Sequence, residues 1–188
     1  VYPSPWTNSY EDFLLGQVQF GYKSANSSVK VYPAPQGAST SNTYQVYVKN
    51  ALSTSWKEVP VYTADVRKGL PNQDHPERSS KQTTYFAEFD ADDEAEVKVV
   101  YNGNVNSFTV RPTNDKVSAT QTGNTLQFNM NAYDKFSVEP DTLVEADGNI
   151  YGNLQIFCNP FEVDAPNPGD AGVIYVAPGY YDYAAFAY

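Results

Sequence analysis

Apolar and polar residues alternate along most of this chain with a period of two. In Tyr44-Gln45-Val46-Tyr47-Val48-Lys49 one face carries Tyr44, Val46 and Val48. In Ala95-Glu96-Val97-Lys98-Val99-Val100-Tyr101 one face carries Ala95, Val97, Val99 and Tyr101, while Glu96 and Lys98 point the other way. Asn106 to Arg111, Thr125 to Met130 and Lys135 to Glu139 repeat the pattern. Successive side chains on an extended strand point to opposite faces, so this period predicts strands with one apolar and one polar side. Such strands suit antiparallel sheets, which rest one face on a core and leave the other in water. No long stretch shows the 3.6-residue period of a helix.

Turn chemistry separates the strands. Asn102-Gly103 lies between Val97–Tyr101 and Val105–Val110 and reads as a hairpin turn. Gly123-Asn124 precedes the Leu126 strand. Trp56-Lys57-Glu58-Val59-Pro60-Val61-Tyr62 reads as one further strand, in which Trp56 alternates with Glu58 and Pro60 and falls on the outer face. Many short alternating strands predict an all-β fold, an antiparallel β-sandwich with immunoglobulin-like two-sheet packing. The polar stretch Lys68 to Lys81 breaks the rhythm and reads as an exposed, mobile loop. In the first 28 residues, Ser9 to Leu15 reads as one helical turn capped by Ser9, and Gln17 to Tyr22 as a strand. Val1-Tyr2-Pro3-Ser4-Pro5 echoes Val31-Tyr32-Pro33-Ala34-Pro35, but the flanks differ and no repeat follows.

Composition narrows the partners. A chain of 188 residues is long enough for one domain with a buried core. The net charge of −10 argues against nucleic acid, an anionic membrane or a polyanionic substrate, which need clustered Lys and Arg. A neutral ligand is easier to accommodate. Aromatic residues reach 15%, mostly from 16 Tyr, a residue suited to sheet surfaces and to binding faces. No run approaches the roughly 20 apolar residues of a membrane span, and no signal peptide is visible. Cys158, the one cysteine, sits in the run Leu154-Gln155-Ile156-Phe157-Cys158 and reads as a buried, inert core thiol. Asn26-Ser27-Ser28 has the form of a glycosylation sequon and reads as a chance match.

Little points to catalysis. With His75 the single histidine and no cysteine cluster, zinc sites and Ser-His-Asp triads lack material, and neither a metal nor a cofactor is expected. The acidic run Asp90 to Glu96 offers five carboxylates but lacks the spacing and glycine of a calcium loop. It reads as a solvated turn between strands ending at Phe89 and starting at Ala95. Among 22 Asp and Glu, no pair stands out as an acid and base for glycoside hydrolysis. The remaining candidates are aromatic. Sugar rings stack their apolar C–H face on Trp and Tyr, and Trp6, Trp56, Tyr180, Tyr181 and Tyr183 lie outside clear core positions. These five are the candidate carbohydrate-binding residues.

From Val29 onward the order of motifs resembles a known module. The pieces are Val29 to Pro35, Trp56 to Tyr62, Ala87-Glu88-Phe89-Asp90, Val110-Arg111-Pro112 and Lys135 to Glu139. The strongest are Asn153 to Glu162 and Val173-Ile174-Tyr175-Val176-Ala177-Pro178-Gly179. Together they resemble the N-terminal β-sandwich that precedes the right-handed parallel β-helix of polygalacturonase-like glycoside hydrolases, as in family 49 dextranases and isopullulanases. The resemblance implies three regions: residues 1–28 as an extension or linker strand, 29–179 as the sandwich, and 180–188 as the start of a β-helix outside this sequence. Five of the nine residues from Tyr180 to Tyr188 are aromatic, and a solenoid coil cannot bury its apolar face without neighbours. No catalytic residue carries across, because in such enzymes the acidic groups lie on the β-helix.

The expectation is therefore a non-catalytic β-sandwich module of a secreted glycoside hydrolase. Its partner would be the β-helix catalytic domain of the parent chain, with weak contact to neutral polysaccharide. Two other readings stay open: a dedicated carbohydrate-binding module with an exposed aromatic platform, and a cell-surface adhesion or stalk domain.

Overall fold

The structure is a computed structural model that describes residues 28–68, 80–113, 117–145, 150–176 and 181. At positions 67, 68 and 80 it describes the backbone alone. Eleven strands are described: β1 (Val29–Lys30), β2 (Tyr44–Asn50), β3 (Lys57–Val59), β4 (Tyr62–Lys68), β5 (Ser80–Ala91), β6 (Ala95–Tyr101), β7 (Phe108–Arg111), β8 (Thr120–Thr122), β9 (Thr125–Met130), β10 (Lys135–Pro140) and β11 (Leu154–Asn159). A 3-10 turn, Asp141–Leu143, follows β10. The readings of Ser9 to Leu15 and Gln17 to Tyr22 fall outside the described residues.

Two sheets form a sandwich. One has the order β3-β2-β6-β9-β8 and is antiparallel throughout. The other has the order β1-β5-β11-β10-β7, with β4 pairing the same edge of the long β5 that β1 uses further along. The period-two pattern explains the packing. Tyr44, Val46 and Val48 of β2, with Ala95, Val97 and Val99 of β6, turn one full face of their sheet inward. Ala87, Phe89, Leu154, Ile156, Cys158 and Val138 answer from the other sheet. Each fully buried Val, Leu, Ile or Phe among these contributes about 1.5–3 kcal/mol relative to exposure.

Three features depart from the local pattern. First, β5 and β11 run parallel, Leu154 beside Tyr85 through Asn159 beside Asp90. Parallel neighbours need a long connection, and no adjacent turn marks them in sequence. Second, Asn102-Gly103 is not a hairpin turn, because β6 and β7 lie in different sheets. The chain crosses between them there. Asn102 donates its backbone N–H to the Thr43 carbonyl at 2.8 Å and its side-chain amide to the Asn42 carbonyl. Gly103 is needed for close approach: a Cβ there would stand 2.5 Å from Tyr101 Cζ. Third, the stretch from Trp56 to Tyr62 is two strands in two sheets, broken at Pro60, which cannot donate to a ladder.

The Gly123-Asn124 turn does close a hairpin, joining β8 to β9 with Thr122 opposite Thr125. Gly123 has φ +57, the left-handed value this two-residue turn requires at its first position. The polar stretch after β4 also links paired strands, since Lys68 lies opposite Ser80. Its residues 69–79 lie outside those described. The acidic run is a turn as expected, although β5 continues to Ala91 before it. Asp92 accepts there from the Ser28 backbone N–H at 2.6 Å.

Candidate functional site

The outer face of the five-stranded sheet is a grid set by strand register. One row crosses all five strands: Glu58, Tyr47, Lys98, Gln127 and Thr120. The next row holds Lys49, Glu96 and Asn129. Directly opposed side chains on one face lie close enough to interact. Lys49 and Glu96 do so as an ion pair at 2.9 Å, and Lys49 Nζ also donates to the Ser53 carbonyl at 3.1 Å.

Trp56 joins this grid from the segment just before β3 and is half-buried. Lys98 Nζ lies 4.7 Å from its ring centre and Lys49 Nζ 5.1 Å. Lys98 Nζ also lies 4.5 Å from the Tyr47 ring centre, so one ammonium sits beside both aromatic rings. Contacts of this kind contribute about 0.5–1 kcal/mol at exposed positions. Lys49 is tied down by its carbonyl and carboxylate. Lys98 is held by the two rings.

Beside Trp56 runs a groove of roughly 260 Å³, bordered by Glu96, Ser118, Thr120, Gln127 and Asn129. Asn129 donates to the Glu94 carboxylate. Ser118, Thr120 and Gln127 are exposed, and among the described residues their side chains have no hydrogen-bond partner. The face therefore offers one indole, one phenol ring, free hydroxyl and amide groups, and a compensated ion pair.

The outer face of the second sheet differs. Tyr62 stacks on Phe86 with ring centres 5.3 Å apart and planes at 28°. Phe157 lies outward on β11, opposite Glu88, and Phe86 and Phe157 with Thr84, Gln155 and Lys135 border a shallow, mainly apolar depression. Burial, then the nearby Glu88 carboxylate, pushes the Tyr62 phenol above its ordinary range.

The described carboxylates serve mostly as ties. Glu139 is buried on β10, where Arg111 Nε donates to it at 2.7 Å and Ser137 Oγ at 3.2 Å. Asp141 accepts from the Asn106 backbone N–H at 2.9 Å and from its side-chain amide at 3.1 Å. These donors hold its carboxyl below the usual range, the backbone N–H of Asn106 contributing most. Cys158 is fully buried, and burial pushes its thiol up to about 12, as expected of an inert core residue. No group of three metal-ligating side chains occurs among the described residues. No helix among them is long and apolar enough to cross a membrane.

Of the five aromatic candidates, the structure brings Trp56 into a defined setting. Tyr181 is 43% exposed and does not border the Trp56 groove. Trp6, Tyr180 and Tyr183 lie outside the described residues. Sequence reading missed Tyr47, Lys98, Gln127 and Thr120. Tyr47, Lys98 and Gln127 occupy the outward positions of alternating strands, a signal visible in sequence, whereas Thr120 lies in the uniformly polar β8, and only cross-strand register aligns all four into one row.

Comparison with known proteins bears on the fold. No protein-family model and no curated protein sequence matches the chain. Among solved structures, Dex49A from Penicillium minioluteum, a family 49 dextranase, is similar over 75% of this chain, with a TM-score of 0.51 and 19% identity. The match spans 33% of the dextranase chain. At that identity the likeness is one of fold: this all-β sandwich resembles part of a glycoside hydrolase.

Proposed function

We propose that this chain is a non-catalytic β-sandwich module of a secreted glycoside hydrolase, and that it supports a β-helix catalytic domain. The observation that carries this reading is the fold likeness to one third of a family 49 dextranase. The ordered motif series from Val29 to Gly179 agrees with it. The setting of the carboxylates supports a silent chemistry. Glycoside hydrolysis needs an acid and a partner carboxylate facing one bond. Glu139 is instead bound to Arg111, and Asp141 is absorbed in closing the 106–107 loop.

The aromatic patch on the outer face of the six-stranded sheet suits a supporting role. Tyr62, Phe86 and Phe157 present aromatic surface where a neighbouring domain of the same protein would exclude water. Ile174, Tyr175 and Val176, near the exit of the described chain, are also exposed and apolar.

The test is direct. The purified chain is incubated with dextran, pullulan and polygalacturonate, and new reducing ends are counted. The expected result is no release above a blank. Release that disappears in Glu139→Gln or Asp141→Asn would overturn the non-catalytic reading.

A second reading, a dedicated carbohydrate-binding module, is favoured by the Trp56 face. It does not require a catalytic neighbour.

A further inference from the structure

We infer that the outer face of the five-stranded sheet is a binding site for a neutral oligosaccharide, with Trp56 as its platform and Gln127, Thr120 and Ser118 as its polar contacts. The inference rests on the geometry of this face and stands whether or not the chain supports a catalytic domain.

A pyranose ring has an apolar face of axial C–H bonds and a rim of hydroxyls that both donate and accept. The face that receives it must offer a flat aromatic surface beside uncommitted polar groups. Trp56 supplies the surface, half-exposed at the edge of β3. Gln127 supplies an amide with both donors and an acceptor, and Thr120 and Ser118 supply hydroxyls, all unpartnered by other described side chains. Strands β8 and β9 hold Thr120 and Gln127 in register directly opposite one another. Groups fixed on strands are better positioned for recognition than groups on loops.

Charge selects the ligand class. Lys49 is neutralised by Glu96 at 2.9 Å. Glu58 stands at the end of the same row as Lys98, beyond Tyr47. Among the described residues of this face no uncompensated cationic cluster remains to hold a polyuronate, and the whole chain carries −10. Hydroxyl-rich, uncharged chains fit this setting.

Lys98 makes the site adaptable. Its ammonium sits beside both the Tyr47 and Trp56 rings. Giving up the Trp56 contact alone costs little, because the Tyr47 contact at 4.5 Å remains. A sugar stacking on Trp56 displaces the ammonium, which then keeps Tyr47 and gains a hydroxyl acceptor. Tyr47 extends the aromatic surface along the row, so the face accommodates more than one residue of a linear glycan.

Affinity electrophoresis tests this, with gels containing dextran, pullulan or polygalacturonate. The expected result is retardation by a neutral glucan and none by polygalacturonate. Trp56→Ala and, separately, the surface double variant Gln127→Ala/Thr120→Ala should each weaken binding at least tenfold. The double variant alters exposed positions only, so it reads binding even where Trp56→Ala unfolds the chain. Lys98→Met should retain neutral binding within a few-fold. Three results would overturn the inference: no retardation by either neutral glucan, retardation unchanged in the double variant, or retardation by polygalacturonate alone that Lys98→Met abolishes. None of these outcomes bears on the reducing-end assay, so the site and the accessory role fail separately.

Discussion

At the scale of single residues, the chain uses its polar groups mainly to fasten loops to sheet ends. Tyr44 shows the pattern: its ring is buried against Tyr85 and Tyr101, yet its hydroxyl reaches the Gly152 carbonyl at 2.7 Å. A buried hydroxyl without that partner would be destabilising. Asp141 fastens the crossing between β6 and β7 in the same way, through the Asn106 amides. Because those donors favour the ionised carboxylate, its folded value lies below the ordinary 3.8. The stability it lends is therefore fully present above the unfolded value and is lost as pH falls through the folded one. Asp141→Ala should lower the melting temperature by a few degrees at neutral pH, and the gap between variant and parent should close as the pH falls below the ordinary carboxylate value and through the lowered folded one. Thermal unfolding followed by circular dichroism at several pH values checks this. A gap that persists undiminished in acid would mean that the carboxylate charge is not what holds the loop.

At the scale of elements, local pattern is a sound guide to which residues face inward and a poor guide to which strands meet. Tyr44, Val46 and Val48 were legible as a core face because period two is a property of the strand itself. The same holds for Leu126, Phe128 and Met130. Asn102-Gly103 misled because Asn-Gly marks hairpins only where both flanking strands share a sheet. Here its glycine answers a steric demand instead. Tyr101 is packed between Tyr44 at 4.9 Å and Phe108 at 6.4 Å, so its ring has little room to yield. Gly103→Ala should accordingly destabilise the fold by about 1–3 kcal/mol, the cost of overpacking. Chemical denaturation would measure it, and a change near zero would show that the ring moves freely. Trp56 was placed on the correct face by alternation with Glu58, although it precedes β3 rather than lying within it.

At the scale of the whole molecule, two sheets share one core and turn unlike faces outward. One is aromatic and apolar around Tyr62, Phe86 and Phe157. The other is a polar grid around Trp56 and Tyr47. That division was not legible in sequence, because it depends on long-range pairings such as β5 with β11 and β6 with β9. Composition pointed to aromatic recognition of a neutral ligand, and register decides which aromatic residue has polar groups beside it. The outer face of the five-stranded sheet is, as inferred above, the working surface of this domain. The measurement that meets this inference most directly is an NMR titration of the labelled chain with a short linear glucan. Amide and side-chain shifts should concentrate at Trp56, Tyr47, Lys98, Gln127 and Thr120, with the Phe86 and Phe157 face unchanged. Shifts centred on Glu139 and Asp141, or no shifts at saturating glucan, would contradict it.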